Sequence, residues 1–141
     1  MAALFAVSVA SGPAIGQLPA LELSAGIHLI RAEVANTFDS RARGLMFRKS
    51  LAANAGMLFV FPDVTTHCMW MKNTFVPLSV AFMDEQGTIV SIHDMQPQNE
   101  TSHCAAKPAR FALEMNQGWF AKKGIKAGAR IGGVDKAPPP R

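Results

Sequence analysis

The chain has 141 residues, of which 49% are hydrophobic and 17% charged, with a formal net charge of +4. That length and composition give one ordinary domain able to bury its own core, and they exclude a disordered or fibrous class. The cations are dispersed, no basic run is interleaved with aromatics, and no window beyond the N-terminus approaches ~18 unbroken apolar residues, so neither a specific nucleic-acid partner nor a transmembrane span in the mature chain is expected.

Residues 1–16, MAALFAVSVASGPAIG, are almost wholly small or apolar, and Ala14 and Gly16 provide the small side chains that precede a signal-peptidase cut at Gln17. They are read as an export leader, the alternative being an apolar extension lying on the domain. An extracytoplasmic location, periplasmic or secreted, follows as an expectation. No Lys or Arg precedes Arg31, so the positive end of such a leader is placed upstream of Met1.

A single globular domain is expected over residues 25–133. Gly26 to Glu33 alternates apolar and polar residues as a half-buried strand does. Asn36, Thr37, Asp39 and Ser40 then offer capping side chains ahead of RARGLMFR, residues 41–48, read as a short helix. GMLFVF, residues 56–61, is a continuous apolar run typical of a strand buried on both faces and is expected to end at Pro62. Thr66 to Lys72 is read as a further strand. Val76 to Met83 and Thr88 to Met95 flank the polar turn Asp84-Glu85-Gln86-Gly87, the clearest hairpin in the chain.

A polar loop over residues 96–107, a strand at Arg110 to Met115, a short helix at Trp119 to Lys123 and a last strand near Ala129 to Gly132 complete the domain. The tail from residue 134 to 141, with its run of prolines, is expected to be disordered. These elements predict a mainly β fold: an antiparallel β-sandwich of jelly-roll type or a partly closed barrel, with two short helices.

Cys68 and Cys104 have no zinc-type spacing, and no metal or other cofactor is expected. In an exported protein the pair suggests one disulfide; two buried thiols acting as small hydrophobes fit the sequence nearly as well.

The run RARGLMFRKSL, followed in order by GMLFVF, WMKNTFVPL, GTIVSI and RFALEMNQGWFAKKGIKAG, resembles the small prokaryotic family known as the domain of unknown function numbered 192. The likeness extends from about Ala25 to Gly132. It implies a sandwich or jelly-roll-like β domain, frequently found behind an export signal, with no accepted enzymatic activity. Members of that family usually carry an acidic residue after the Pro-Leu pair, where this chain has Ser79, which argues against a mechanism needing a carboxylate there.

Within WMKNT, Trp70 offers a flat face for stacking, and Lys72, Asn73 and Thr74 offer donors and acceptors at a strand exit. Arg41 and Arg48 are guanidinium forks suited to a carboxylate or phosphate. Together these residues point to a non-catalytic binding module for a small anionic or carbohydrate-like ligand, a small molecule or a component of the cell envelope; no oligomeric state is assigned. Two other classes compete. The soft donors of HCMWM, residues 67–71, suit Cu(I) in an exported copper-binding protein. A hydrolase-type enzyme would use Cys68 or Cys104 with a nearby histidine, but no nucleophile motif surrounds them, and Asp94 and Glu114 lie in different strands.

Overall fold

The computed structural model describes residues 2–6 and 17–141; the expected leader falls mostly on residues 1 and 7–16, which lie outside the described residues. The fold is mainly β. In chain order the elements are β1 (Ala20–Ala25), β2 (His28–Ala35), α1 (Phe38–Arg43), β3 (Ala55–Thr65), β4 (Cys68–Met69), β5 (Leu78–Met83), β6 (Ile89–Met95), β7 (His103–Cys104), β8 (Ala109–Asn116), α2 (Trp119–Lys122) and β9 (Ile131–Gly132).

A single curled sheet, ordered β6-β5-β8-β3-β2-β1-β9, carries the architecture, with β4 and β7 forming a separate two-stranded ladder. Its pairs are antiparallel except β2 with β3, which run parallel from Arg31 opposite Ala55 to Ala35 opposite Phe59. A parallel pair cannot be joined by a tight turn. The connection, residues 36–54, therefore crosses over one sheet face and carries α1. The curl brings the ends of the sheet together: Thr88 bridges Arg130, and the Ile89 amide donates to the Ala129 carbonyl at 2.8 Å. Of the two expected architectures, the partly closed barrel describes this half-barrel.

Side-chain alternation divides the core in two. Leu58 and Val60 of β3 join Leu23, Ile30, Val34, Leu113, Met115, Trp119 and Phe120 inside the curl. Met57, Phe59 and Phe61 point the other way, against Leu45, Met71, Val76, Val80, Phe82 and Met95. GMLFVF is thus buried on both faces, as its unbroken apolar run requires. The outer face is closed by α1 and by the loops that carry the RGLM and WMKN residues.

Several boundaries differ from expectation. The sheet begins at Ala20, not near residue 25, because LPALELSA supplies β1, which pairs with β2 through a turn at Gly26, whose φ is +59°. β3 continues past Pro62 to Thr65: a register shift between Val60 and Thr65 spares the missing proline N–H, and Arg110 donates to the Phe61 carbonyl at 2.8 Å. The expected strand Thr66 to Lys72 contracts to Cys68–Met69. The expected disordered tail is instead held: Val134 is buried, the Arg141 amide donates to the Asn36 carbonyl at 2.8 Å, and Asn36 Nδ2 donates to the Pro139 carbonyl at 2.9 Å.

No helix among the described residues is long and apolar enough to cross a membrane.

Candidate functional site

The site lies on the outer sheet face, under the crossover. Its first wall is α1, which starts one turn ahead of the expected helix. Thr37 caps it in a reciprocal box: Thr37 Oγ1 accepts from the Ser40 amide at 3.1 Å, and the Thr37 amide donates to Ser40 Oγ at 3.0 Å. Gly44, at φ +49°, ends the helix, and a Cβ at that position would stand 3.2 Å from the Phe59 ring. Gly44 thus lets the chain turn close over β3.

The second wall is the WMKN loop. Asn73 adopts φ +52°, a left-handed conformation that Asn tolerates, and its carbonyl accepts from the Phe47 amide at 2.9 Å. The rings of Phe47 and Phe75 meet edge to face at 6.2 Å. The two motifs are therefore clamped together by backbone and by aromatics. The third wall is the β4–β7 ladder, in which Cys68 stands directly opposite Cys104 and is bonded to it. Of the two readings of the cysteines, the disulfide is the one observed, and both thiols are consumed. That removes a thiolate ligand from the copper alternative and a thiol nucleophile from the hydrolase alternative.

Between these walls is a cavity of about 310 Å³, with Arg41, Arg43, Leu45, Met69, Trp70 and Thr74 around it and Phe59, Phe61 and Glu114 on the sheet side. Glu114 is the residue that sequence reasoning missed. It sits on β8 between Met57 of β3 and Val80 of β5, 3% exposed. Burial pushes its carboxyl up to about 8, and among the described residues its side chain makes no hydrogen bond. At neutral pH the cavity floor is a neutral carboxylic acid, one O–H donor with acceptor capacity to spare.

Asp94 is on the other side of the sheet. Register pairs it with Ser79, whose other neighbour is Met115, whereas Glu114 is paired with Val80. The Ser79 hydroxyl donates to Asp94 at 2.6 Å and accepts from the Gly118 amide at 2.9 Å. Ser79 therefore relays the Asp94 carboxylate toward the start of α2, remote from the cavity, and the two carboxyls cannot act as a pair.

The expected site residues separate into two groups. Arg41, Trp70 and Thr74 line the cavity. Arg41 also donates to the Val60 carbonyl at 3.1 Å and the Arg141 carbonyl at 3.3 Å, which orients its guanidinium along the wall. Thr74 is buried, and its hydroxyl donates to the Lys72 carbonyl at 3.0 Å. Trp70 is 45% exposed at the mouth, with Lys72 Nζ 5.2 Å from its ring centroid. Lys72 reaches the mouth through Trp70, and Asn73 serves the turn.

Arg48 does not reach the cavity. The helix expected over residues 41–48 stops at Gly44, before Arg48, and Arg48 forms a bidentate pair with Glu33 at 2.7 and 2.9 Å. Arg43 takes its place as the second cationic wall residue, with its guanidinium carbon 5.7 Å from the Phe47 centroid. Among the described residues no group of three or more His, Cys, Asp or Glu could hold a metal ion.

Known proteins place this architecture in context. The structure is similar to that of a Sinorhizobium meliloti 1021 protein described as a "putative transcription regulator": 34% identity, TM-score 0.76, covering 82% of this chain and 92% of that one. It is also similar to a protein of unknown function from Novosphingobium aromaticivorans DSM 12444, at 32% identity and TM-score 0.77, covering 89% of this chain and 93% of the other. No match was found among curated proteins. A family model described as DUF192, an uncharacterized ACR, matches residues 21–133, and the chain belongs to that family.

Proposed function

We propose that this DUF192 domain is a non-catalytic extracytoplasmic binding module, and that its cavity takes a small ligand with an anionic head and a flat or apolar body. The observation that carries the reading is the joining of Arg41, Arg43 and Trp70 around a cavity whose floor carboxyl, Glu114, has no hydrogen-bond partner among the described residues. Two guanidinium groups suit an anionic head. Phe59, Phe61 and one face of Trp70 suit the body, the other face of Trp70 being covered by Lys72. A neutral Glu114 does not repel an anion and can donate to one of its oxygens. The volume of about 310 Å³ is at the small end for ligand sites. The Cys68–Cys104 bond is in keeping with an oxidising compartment.

Phenyl phosphate and benzoate, followed by quenching of Trp70 fluorescence, test the reading against glucose as the uncharged comparison. Binding of the anions, weakened about tenfold in Arg41→Ala, is expected. Equal response to glucose, or anion binding indifferent to Arg41 and Arg43, would refute the anionic assignment. One observation favours a second reading: a carboxyl titrating at about 8 is suited to proton transfer near neutral pH. Turnover of p-nitrophenyl acetate that disappears in Glu114→Gln would replace the binding module with a hydrolase.

A further inference from the structure

We infer that the cavity mouth is a docking surface for an anionic lipid bilayer. The rim supports this independently of any ligand inside. Phe38, Phe47, Trp70 and Phe75 are large apolar side chains that remain 76%, 53%, 45% and 44% exposed. They lie at or beside this one mouth. Phe38 and Trp70 line the cavity, Arg43 lines it and reaches over Phe47, and Phe47 touches Phe75. Exposed aromatics gathered in this way mark an interaction surface.

The charge around them selects the partner. Residues 38–49 and 66–75, the segments that build the mouth, carry Arg41, Arg43, Arg48, Lys49 and Lys72 against a single acid, Asp39. Arg48 is neutralised by Glu33, Asp39 lies in the first turn of α1, and Glu100 lies on the loop that bonds Met71 and Thr74; the unpaired excess at the rim is cationic. The local pairing is more telling than the sum. Arg43 stands over Phe47 and Lys72 over Trp70, so two rings each carry a cation beside their faces. An aromatic at headgroup depth with a cation reaching the phosphates is the arrangement that an anionic interface favours. The clamp between Phe47 and Asn73 holds both rim segments in one unit, so little ordering accompanies docking.

The test is co-sedimentation of the full chain with phosphatidylcholine vesicles containing about a third phosphatidylglycerol, against pure phosphatidylcholine. All variants share the same N-terminal segment, so differences between them report the mouth. Binding to the anionic vesicles is expected, weakened about tenfold by Phe47→Ser or Phe75→Ser and about fivefold by Arg43→Gln or Lys72→Gln. These rings and cations are solvent-exposed, and an unchanged unfolding midpoint verifies that each variant is folded. Glu114→Gln, which alters the cavity floor alone, leaves vesicle binding unchanged, so failure of the ligand reading and failure of this one are distinguishable. The inference is overturned by equal binding to pure phosphatidylcholine, by no binding to either, or by aromatic variants that bind as well as the wild type. Self-association abolished by Phe47→Ser, with no vesicle binding, would assign the surface to a second copy of the chain and overturn it equally.

Discussion

Replacing Glu114 by glutamine preserves the shape of the side chain and removes its ionisation, which makes the stability of this domain depend on pH in a predictable direction. In the folded protein burial holds the carboxyl at about 8, against an ordinary 4.5. The folded state therefore keeps a proton that the unfolded chain releases, so the contribution is fully present below 4.5 and is lost as pH rises through about 8. At about 1.4 kcal/mol per pH unit, the loss across that interval is at most about 5 kcal/mol, of which about 3 kcal/mol has gone by neutral pH. Water entering from the cavity reduces both figures. His93, whose ring burial pulls down, contributes with the opposite sign, but it is common to both proteins and cancels in their difference. Urea unfolding followed through the buried Trp119 gives the two profiles. Glu114→Gln is expected to match or fall below the wild type near pH ~5 and to exceed it by several kcal/mol near pH ~8. Parallel profiles would show that Glu114 is ionised in the folded protein or solvated there, and would refute the account of the cavity floor.

Three further outcomes are expected. The Cys68–Cys104 bond closes a loop with a sequence separation of 36, so the double Cys→Ser variant should lose about 4 kcal/mol in urea unfolding, and the wild type should lose the same on reduction. Gly87 has φ +82°, and a Cβ there would stand 2.6 Å from the Ile131 carbonyl oxygen, so Gly87→Ala should cost about 2–3 kcal/mol; Gly26→Ala, at φ +59° with open space around it, should cost only about 1 kcal/mol by the same measurement. The Arg48–Glu33 pair is 39% and 34% exposed, so Arg48→Ala should change stability by no more than about 1 kcal/mol and leave ligand response unchanged.

Local signals in the sequence were sufficient wherever neighbours along the chain decide the outcome. The turn Asp84 to Gly87 fixes its hairpin because the Asp84 carboxylate accepts from the Gln86 and Thr88 amides, a contact made within a few residues. The two-faced burial of GMLFVF is readable because no polar residue interrupts it. Where distant packing decides, the pattern was silent or misleading. LPALELSA adjoins the apolar leader and resembles it in composition, and only pairing with β2 and β9 makes it a strand of the domain. Arg41 and Arg48 look alike in sequence, and their different fates depend on where Gly44 stops the helix and on Glu33 lying within reach of one of them. Glu114 did leave a trace. A lone acid inside FALEM, a run otherwise apolar on both faces, has to be buried, and a buried carboxyl is informative. What the sequence could not reveal is that its face of the sheet is the one beneath the crossover.

The parallel pairing of β2 with β3 also bears on how such a domain can diversify. Because those strands require a long connection, residues 36–54 supply the roof of the cavity while contributing little to the ladder beneath it. Changes of length or composition in that roof would reshape the chamber and leave the strand register untouched. The roof of the cavity and the hydrogen-bonded ladder beneath it are in this way assigned to separate stretches of chain.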